Sequence, residues 1–366
     1  MNLHQNHIQD PVELLMKMIR IPSFSREEGG TADLIEDWFG QLGITTSRKH
    51  YNIWASNKHF DPSKPTILLN SHHDTVRPNE NYTRDPFDPV IEDGKLFGLG
   101  SNDAGGALVS LMSVFAHFYP MPDLPCNFIM AATAEEEISG ENGIRSILAD
   151  LPEISFAVVG EPTDMQLAIS EKGLLVIDAI ASGEAGHAAY DSGDNAIYKA
   201  LKDIQWISGY SFPLISPTLG ETRMTVTQIN AGTQHNVIPA ECRFVIDVRF
   251  NEMYTNRRVF EIIDNHTEST MKARSFKHSS SSIPRDHPFV QSGVAVGRKT
   301  YGSATMSDQT ALSCPSVKIG PGHSPRSHSA DEFILPAEIR EGIMIYRKIF
   351  EHFLDIQKTK RHEALG

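Results

Sequence analysis

The chain has 366 residues, 40% hydrophobic and 22% charged, the balance of a globular protein long enough for two domains. Its 46 acidic against 33 basic residues give a net charge of -13 with no Lys/Arg-rich block, which argues against nucleic-acid or anionic-membrane partners. Three scattered cysteines, a polar N-terminus without a signal-peptide core, and no apolar run near the roughly 20 residues that span a bilayer fit a reducing cytoplasm.

The segment DPVELLMKMIR has helical periodicity, with Asp10 as N-cap and Pro11 in the first turn. TADLIEDWFGQLG is a second amphipathic helix closed by a glycine. PTILLNS reads as a short apolar strand, DAGGALVSLMSVFAHF as a helix weakened by its glycines, and CNFIMAAT and SFAVVG as further buried strands. Helices alternating with buried strands imply an α/β fold with a mostly parallel sheet covered on both faces. From about Gly173 the pattern changes to the strands LLVIDAIASG, RMTVTQINAG and CRFVIDVRF with helices between them, which implies an α+β domain on an antiparallel sheet. SVKIG then returns to the first pattern, followed by the helix PAEIREGIMIYRKIFEHFL. The expected organisation is a catalytic domain of residues 1–172 and 284–366 with a lid inserted at 173–283.

Chemistry-bearing residues follow the strands of the first domain. TILLNS leads into His72, His73 and Asp74; FIMAAT into Glu135, Glu136 and Glu137; FAVVG into Glu161; and SVKIG through GPGHSPRS to His328. Asp103 follows the glycine-rich GKLFGLGSN. In parallel α/β sheets, sites form outside the carboxyl ends of the strands, so these groups are expected on one edge. Imidazoles and carboxylates without cysteine suit zinc or a similar divalent ion. Asp103, Glu137 and Glu161 bring three negative charges, which two divalent cations and one hydroxide balance. Each piece alone has a plainer reading: a hydrogen-bonded strand end at His72–Asp74, a solvated helix start at the glutamates, a simple turn at GPG.

Together, SHHDTV, GLGSNDAGG, TAEEEISGENG, VVGEPT and GPGHSPRSHSADE, in this order, resemble the motifs of the zinc aminoacylase/carboxypeptidase family of di-metal deacylases and exopeptidases. GEAGHAAYDSGDNAI and INAGTQHNVIPAECRFVIDVR are similar to two signatures of that family's lid domain. The resemblance covers almost the whole chain. It implies a cofactor of two divalent metal ions per chain, zinc or cobalt, with Asp103 bridging them, His72 and Glu161 on one, and Glu137 and His328 on the other. It makes Glu136 the general base and acid, Asp74 the carboxylate behind His72, and the peptide after Asp103 cis. From the lid it implies His187 as oxyanion stabiliser, Asn236 and Arg249 as substrate-binding groups, and Gly302 and Ser303 in a substrate-lining loop.

GEPT, together with GPG followed by five residues, His328, two residues and Asp331-Glu332, resembles most the acetylornithine deacetylase branch. The expected activity is therefore hydrolysis of an N-acyl amino acid in arginine biosynthesis, by a homodimer paired through its lids. Acetyl- or succinyl-citrulline deacylase, succinyl-diaminopimelate desuccinylase and a dipeptidase are the alternatives, and a non-catalytic relative a remote one. The chain departs from the family pattern where Gly105 and Gly106 follow Asp103 without a lysine, and where Ala188, Ala189 and Asp191 follow the lid histidine. Both departures bear on substrate preference and spare the metal-ligand positions.

Overall fold

The computed structural model describes residues 10–190 and 193–365; the polar residues 1–9 and Asp191 lie outside them. The chain divides into two compact units. One comprises the residues up to Ile169, 283–301 and those from Ser307 onward; the other is Ser170–Ser282 with Gly302–Met306.

The first unit is built on a mixed sheet whose central strands are parallel. Asn127–Thr133, Thr66–His72, Phe156–Val159 and Ser316–Lys318 lie side by side in that order, all pointing the same way. Ser47–Lys49 and Asn52–Ser56 continue the sheet antiparallel beyond Asn127–Thr133, and Leu167–Glu171 does so beyond Ser316–Lys318. The Thr66–His72 and Asn127–Thr133 strands are buried at every position, as a sheet covered on both faces requires. Ile67 and Leu69 face a large core with Leu14 and Phe115, while Leu68 faces a smaller one with Ile129, Ile144 and Ile147.

The large core is roofed by the helices Pro11–Ile19, Gly106–Phe118 and Pro336–Leu365. Asp10 caps the first of these, its carboxylate accepting the Val12 N–H at 3.0 Å. The Gly106–Phe118 helix is apolar nearly all round, so burial on most sides offsets the cost of its leading glycines. Asp103 does not open this helix. It lies in an irregular turn, Ser101–Gly105, that precedes it, with φ -117° and ψ 101° and a cis peptide to Ala104. A methyl group on Gly105 would stand 2.5 Å from the Gly100 carbonyl oxygen, so the turn is tight enough to demand glycine there.

The second unit has a four-stranded antiparallel sheet, ordered Arg223–Ala231, Glu241–Phe250, Gly173–Ser182, Thr270–Ala273. Glu241–Phe250 and Gly173–Ser182 alternate buried and less buried positions, the period of a sheet with one covered face. That face (Leu175, Ile177, Phe244, Ile246, Val248) packs with Ala200 and Ile207 of the helix Ala196–Gly209 and Val259 and Ile263 of Asn256–Asp264. Among the described residues, no helix is long and apolar enough to cross a membrane.

All three cysteines are free thiols, and Cys126 is 2% exposed, its thiol pushed up to about 12 by burial. The thiolate is the reactive form, so native protein at mildly alkaline pH is expected to leave Cys126 unalkylated by iodoacetamide, with labelling only after unfolding. Peptide mass spectrometry reads the outcome; rapid native labelling would contradict the packing around Cys126.

Candidate functional site

The four parallel strands end on the same edge, and each end delivers a titratable group. His72 is the last residue of Thr66–His72, the glutamate triplet follows Asn127–Thr133, and Glu161 follows Phe156–Val159 by two residues. His328 comes from the segment that leaves Ser316–Lys318.

The structure brings the five expected ligands together. His72 Nδ1 stands 3.0 Å from the backbone carbonyl of Asp74, so Nδ1 carries the proton and Nε2 is left as the donor atom. That Nε2 lies 3.4 Å from Asp103 Oδ1 and 3.8 Å from Glu161 Oε1. On the other side, His328 Nε2 lies 3.0 Å from Glu137 Oε2 and 3.5 Å from Asp103 Oδ2. The two oxygens of Asp103 thus face different histidines, as a carboxylate shared between two cations would. Ligand atoms of His72, Asp103 and Glu137 lie within 4.8 Å of one another, and so do those of His72, Glu136 and Glu161.

Electrostatics show how strained this edge is without a cation. Burial first, then Asp103 and Glu137, push Glu161 up to about 8, with His72 opposing. Burial, followed by Glu161, Asp308 and Glu137, lifts Glu136 well above the usual carboxylate range. Burial disfavours a charged His72, yet hydrogen bonds to Asp103 and Asp74 carry it well above its ordinary value. The hydrogen bond to Glu137 lifts His328 to about 9. A cation reverses this logic, favouring ionised carboxylates and neutral imidazoles. Two imidazoles and three carboxylates, with no thiol among them, fit a borderline-hard divalent ion such as zinc.

The glutamate triplet divides into three roles of geometry. Asp74 accepts the Glu136 N–H at 3.0 Å and the Glu137 N–H at 3.2 Å, and buried Glu28 accepts the Glu135 N–H at 3.0 Å. These bonds fix a turn, not a helix start, after the strand. Glu135 takes φ 53° and directs its side chain away from the cluster, onto the N–H and side-chain amide of Asn142 at 3.3 and 3.0 Å. A methyl group on Gly140 would fall 1.9 Å from the Glu135 carboxylate, so this glycine makes room for that bond. Asp74 touches His72 less closely with its carboxylate, 3.4 Å from Nδ1, than with its backbone carbonyl. The carboxylate is chiefly the anchor of the triplet, and it also accepts the Ser25 hydroxyl at 2.7 Å.

His73, next to His72, faces the other way. Its Nε2 donates to the Tyr51 carbonyl at 2.9 Å and its Nδ1 accepts from Thr31 at 2.8 Å, a packed structural histidine. Three further acids had no assigned role in the sequence: Glu28, Asp308 and Glu332. Asp308 accepts the Thr133 hydroxyl at 2.6 Å, and burial pushes its carboxyl up to about 6. Glu332 closes the GPGHSPRSHSADE motif without an assigned role, and only an acidic residue inside an otherwise turn-rich stretch could have marked Glu28.

The remaining expected residues belong to the second unit. His187 is exposed, in a two-residue strand paired with Val237, and its Nδ1 accepts the Ala189 N–H at 3.1 Å. Its Nε2 therefore carries the proton and is the donor that the ring presents. Asn236 holds the same turn, its carbonyl accepting the Ala188 N–H at 3.0 Å. The guanidinium of Arg249 is already engaged: it donates to both oxygens of Asp247 at 2.9 and 3.2 Å. Gly302 packs on the Thr218 carbonyl, and the Ser303 hydroxyl donates to the Thr305 carbonyl at 3.2 Å.

Comparison with known proteins decides the identity. The model of Peptidase family M20/M25/M40 matches residues 68–352, most of the chain. The chain belongs to this family. It is a metal-dependent amidohydrolase of the M20 type. It is 25% identical over 386 aligned residues to succinyl-diaminopimelate desuccinylase 2 of Ruegeria sp. strain TM1040, covering 95% of this chain and 96% of that one. Its fold is similar to that of aminopeptidase PepT from Bacillus cereus, with TM-score 0.74 and 17% identity over 95% of this chain and 99% of that one. It is also similar to Bacillus subtilis YXEP, described as a dinuclear metal-binding peptidase of the M20 family, with TM-score 0.70 and 15% identity over 96% and 99% of the chains. The closeness to acetylornithine deacetylase expected from GEPT and GPG finds no counterpart among these relatives, of which the desuccinylase matches over nearly the full length.

Stripping divalent ions from this M20 protein is expected to destabilise it, because the carboxylate edge then loses its compensating charge. An ion at a hundredfold excess over its Kd contributes about 2.7 kcal/mol. For a unit of this size that corresponds to a fall on the order of 5 °C in Tm, restored by adding the ion back. Calorimetry with and without chelator measures it; an unchanged Tm would count against cation compensation.

Proposed function

We propose that the chain hydrolyses the amide bond of an N-succinyl amino acid, releasing succinate and a free amine, with zinc as the resident metal. The observation that carries this reading is the convergence of the five donors and Glu136 on one sheet edge, in a chain that matches a desuccinylase over nearly its full length. Asp103, His72 and Glu161 would hold one ion, and Asp103, Glu137 and His328 the other. When bound, such ions polarise the amide carbonyl and make water a competent nucleophile at neutral pH.

Glu136 sits among these groups with its ligand-capable oxygen near His72 and Glu161, and no other side chain of the triplet is free for proton transfer. It takes a proton from the attacking water as the new C–O bond forms. It then returns that proton to the amide nitrogen as the C–N bond breaks, leaving a carboxylate and an amine.

In the second unit, the outward Nε2–H of His187 suits donation to the oxyanion. Arg249, with Asn236, Gly302 and Ser303, is assigned to the substrate's polar groups. A dicarboxylic acyl group is favoured by a local charge excess: Arg223 lies directly across from Arg249 on the neighbouring strand, and Asp247 occupies the Arg249 fork. The two guanidiniums outnumber that one carboxylate, and the positive charge left over suits an anionic acyl group. The acetylornithine reading rests on two short segments and is kept as an arm of the test.

A hydrolysis panel of N-succinyl- and N-acetyl-diaminopimelate, ornithine and citrulline, with a few dipeptides, tests the assignment. The succinyl substrates are expected to show the highest kcat/KM. Glu136→Gln is expected to lower kcat by about a hundredfold or more while retaining metal. A preference for acetylornithine would reject the succinyl reading, and a fully active Glu136→Gln would reject the role of Glu136.

We further propose that a second copy pairs along the open edge of the second unit. Its outer strand, Arg223–Ala231, is mostly exposed, with Ile229 50% exposed, and the adjacent helix presents Tyr198 and Leu201 at 67% and 50%. Sedimentation equilibrium is expected to give a dimer that Ile229→Lys weakens; a wild-type monomer at micromolar concentration rejects the pairing.

A further inference from the structure

We infer that Glu332 is a positioning residue for the metal centre, fixing Asp103 relative to His328. The inference rests on the metal reading above. Glu332 is 1% exposed and makes three convergent bonds to the turn that carries Asp103. Its Oε1 accepts the N–H groups of Asn102 at 2.8 Å and Asp103 at 2.9 Å, and its Oε2 accepts that of Gly100 at 3.2 Å. Its own backbone carbonyl accepts the Gly98 N–H at 3.0 Å. Irregular backbone has no ladder to satisfy its N–H groups, so one carboxylate here does what several backbone partners do in a strand.

The tie runs in both directions. From the turn, Asn102 reaches back: its side-chain oxygen accepts the His323 N–H at 2.9 Å, and its amide donates to the His323 carbonyl at 3.2 Å and to Ser327 at 3.3 Å. His328 therefore lies between two clamps, Asn102 on residues 323–327 and Glu332 four residues beyond it. His328 itself holds φ 58°, a conformation that neighbouring structure must enforce. The neighbouring Asp331 also anchors this loop, but to Thr83 and Arg84, at 2.9 and 3.0 Å from their N–H groups, which carry no ligand. Glu332 links the backbones of two ligands; Asp331 links one of them to the scaffold.

The oxygens of Glu332 are taken up by backbone donors, so it is not a sixth ligand. Its effect passes through Asp103. Replacing its carboxylate by an amide is expected to loosen Asp103, whose two oxygens face His72 and His328.

The experiment uses full-length protein freed of metal and titrated with Co2+, whose visible spectrum reports coordination geometry. Wild type is expected to take up two ions. Glu332→Gln keeps the size of the side chain but sets an amide donor against backbone donors. It is expected to weaken uptake of at least one ion by about tenfold to a hundredfold and to alter its spectrum, with kcat falling more than KM changes. Asp331→Asn serves as the structural control, lowering Tm while leaving the Co2+ spectrum unchanged. If Glu332→Gln does not fold, Glu332→Asp carries the same readouts. A variant with lowered Tm but two ions bound at wild-type affinity and an unaltered spectrum overturns the inference alone. A wild-type chain that binds no Co2+ overturns the metal reading and this inference with it.

Discussion

Asp103, Glu136, Glu137 and Glu161 converge at the ends of adjacent strands, and two imidazoles offset only part of their charge. Two like charges about 4 Å apart repel by roughly 4 kcal/mol at the effective dielectric near a protein surface. A fully buried apolar side chain contributes about 1.5–3 kcal/mol. One uncompensated pair therefore offsets one or two core residues, and a cluster of four would spread apart if its backbone could yield. The first unit has to supply both a compensating charge and a backbone that does not move.

The backbone is held by acids placed outside the cluster. Glu28 takes the N–H of Glu135, Asp74 those of Glu136 and Glu137, and Glu332 those of Gly100, Asn102 and Asp103. Apolar packing could not do this work, because turns leave N–H groups without ladder partners, and a buried unpaired donor costs about 1–3 kcal/mol. Each outer carboxylate satisfies one to three such donors, and in return their dipoles oppose the burial that raises Glu28 and pushes Glu332 up to about 8. The left-handed conformation of Glu135 follows from the same need: it turns one glutamate out of the cluster and onto Asn142, so that adjacent residues can point in different directions.

Much of this was legible in the chain. Buried strands that end in or lead into His or Glu pointed to one edge for His72, Glu137, Glu161 and His328, because parallel strands share their direction. Asp103 was legible as a site residue, although not in its local form: apolar periodicity runs through it, while the structure starts the helix at Gly106 and leaves Asp103 in the preceding turn. Of the outer acids Asp74 was legible, but the backbone ties of Glu28 and Glu332 were not. Glu28 and Glu332 act on backbone 107 and 229–232 positions away in sequence, through contacts that only the folded chain creates. The pairing of Arg249 with Asp247 escaped too, since residues two apart in a strand share a face but need not touch.

Chemistry and selectivity differ in how much structure each demands, which is why one was readable and the other was not. Amide hydrolysis needs reacting groups held to within about half an ångström, and that tolerance is met only by many ties per residue. Such ties restrict which residue types fit, so they leave motifs. Choosing one acyl group over another needs differences of only about 1–3 kcal/mol when it rests on pocket size, and a few charges can supply it. Among the described residues Arg249 is held by Asp247, and its side chain is 42% exposed. Residues tied so lightly can change identity without disturbing the fold. A short motif shared with one branch of the family is therefore weak evidence about the substrate, and the same motif is strong evidence about the metal edge beneath it.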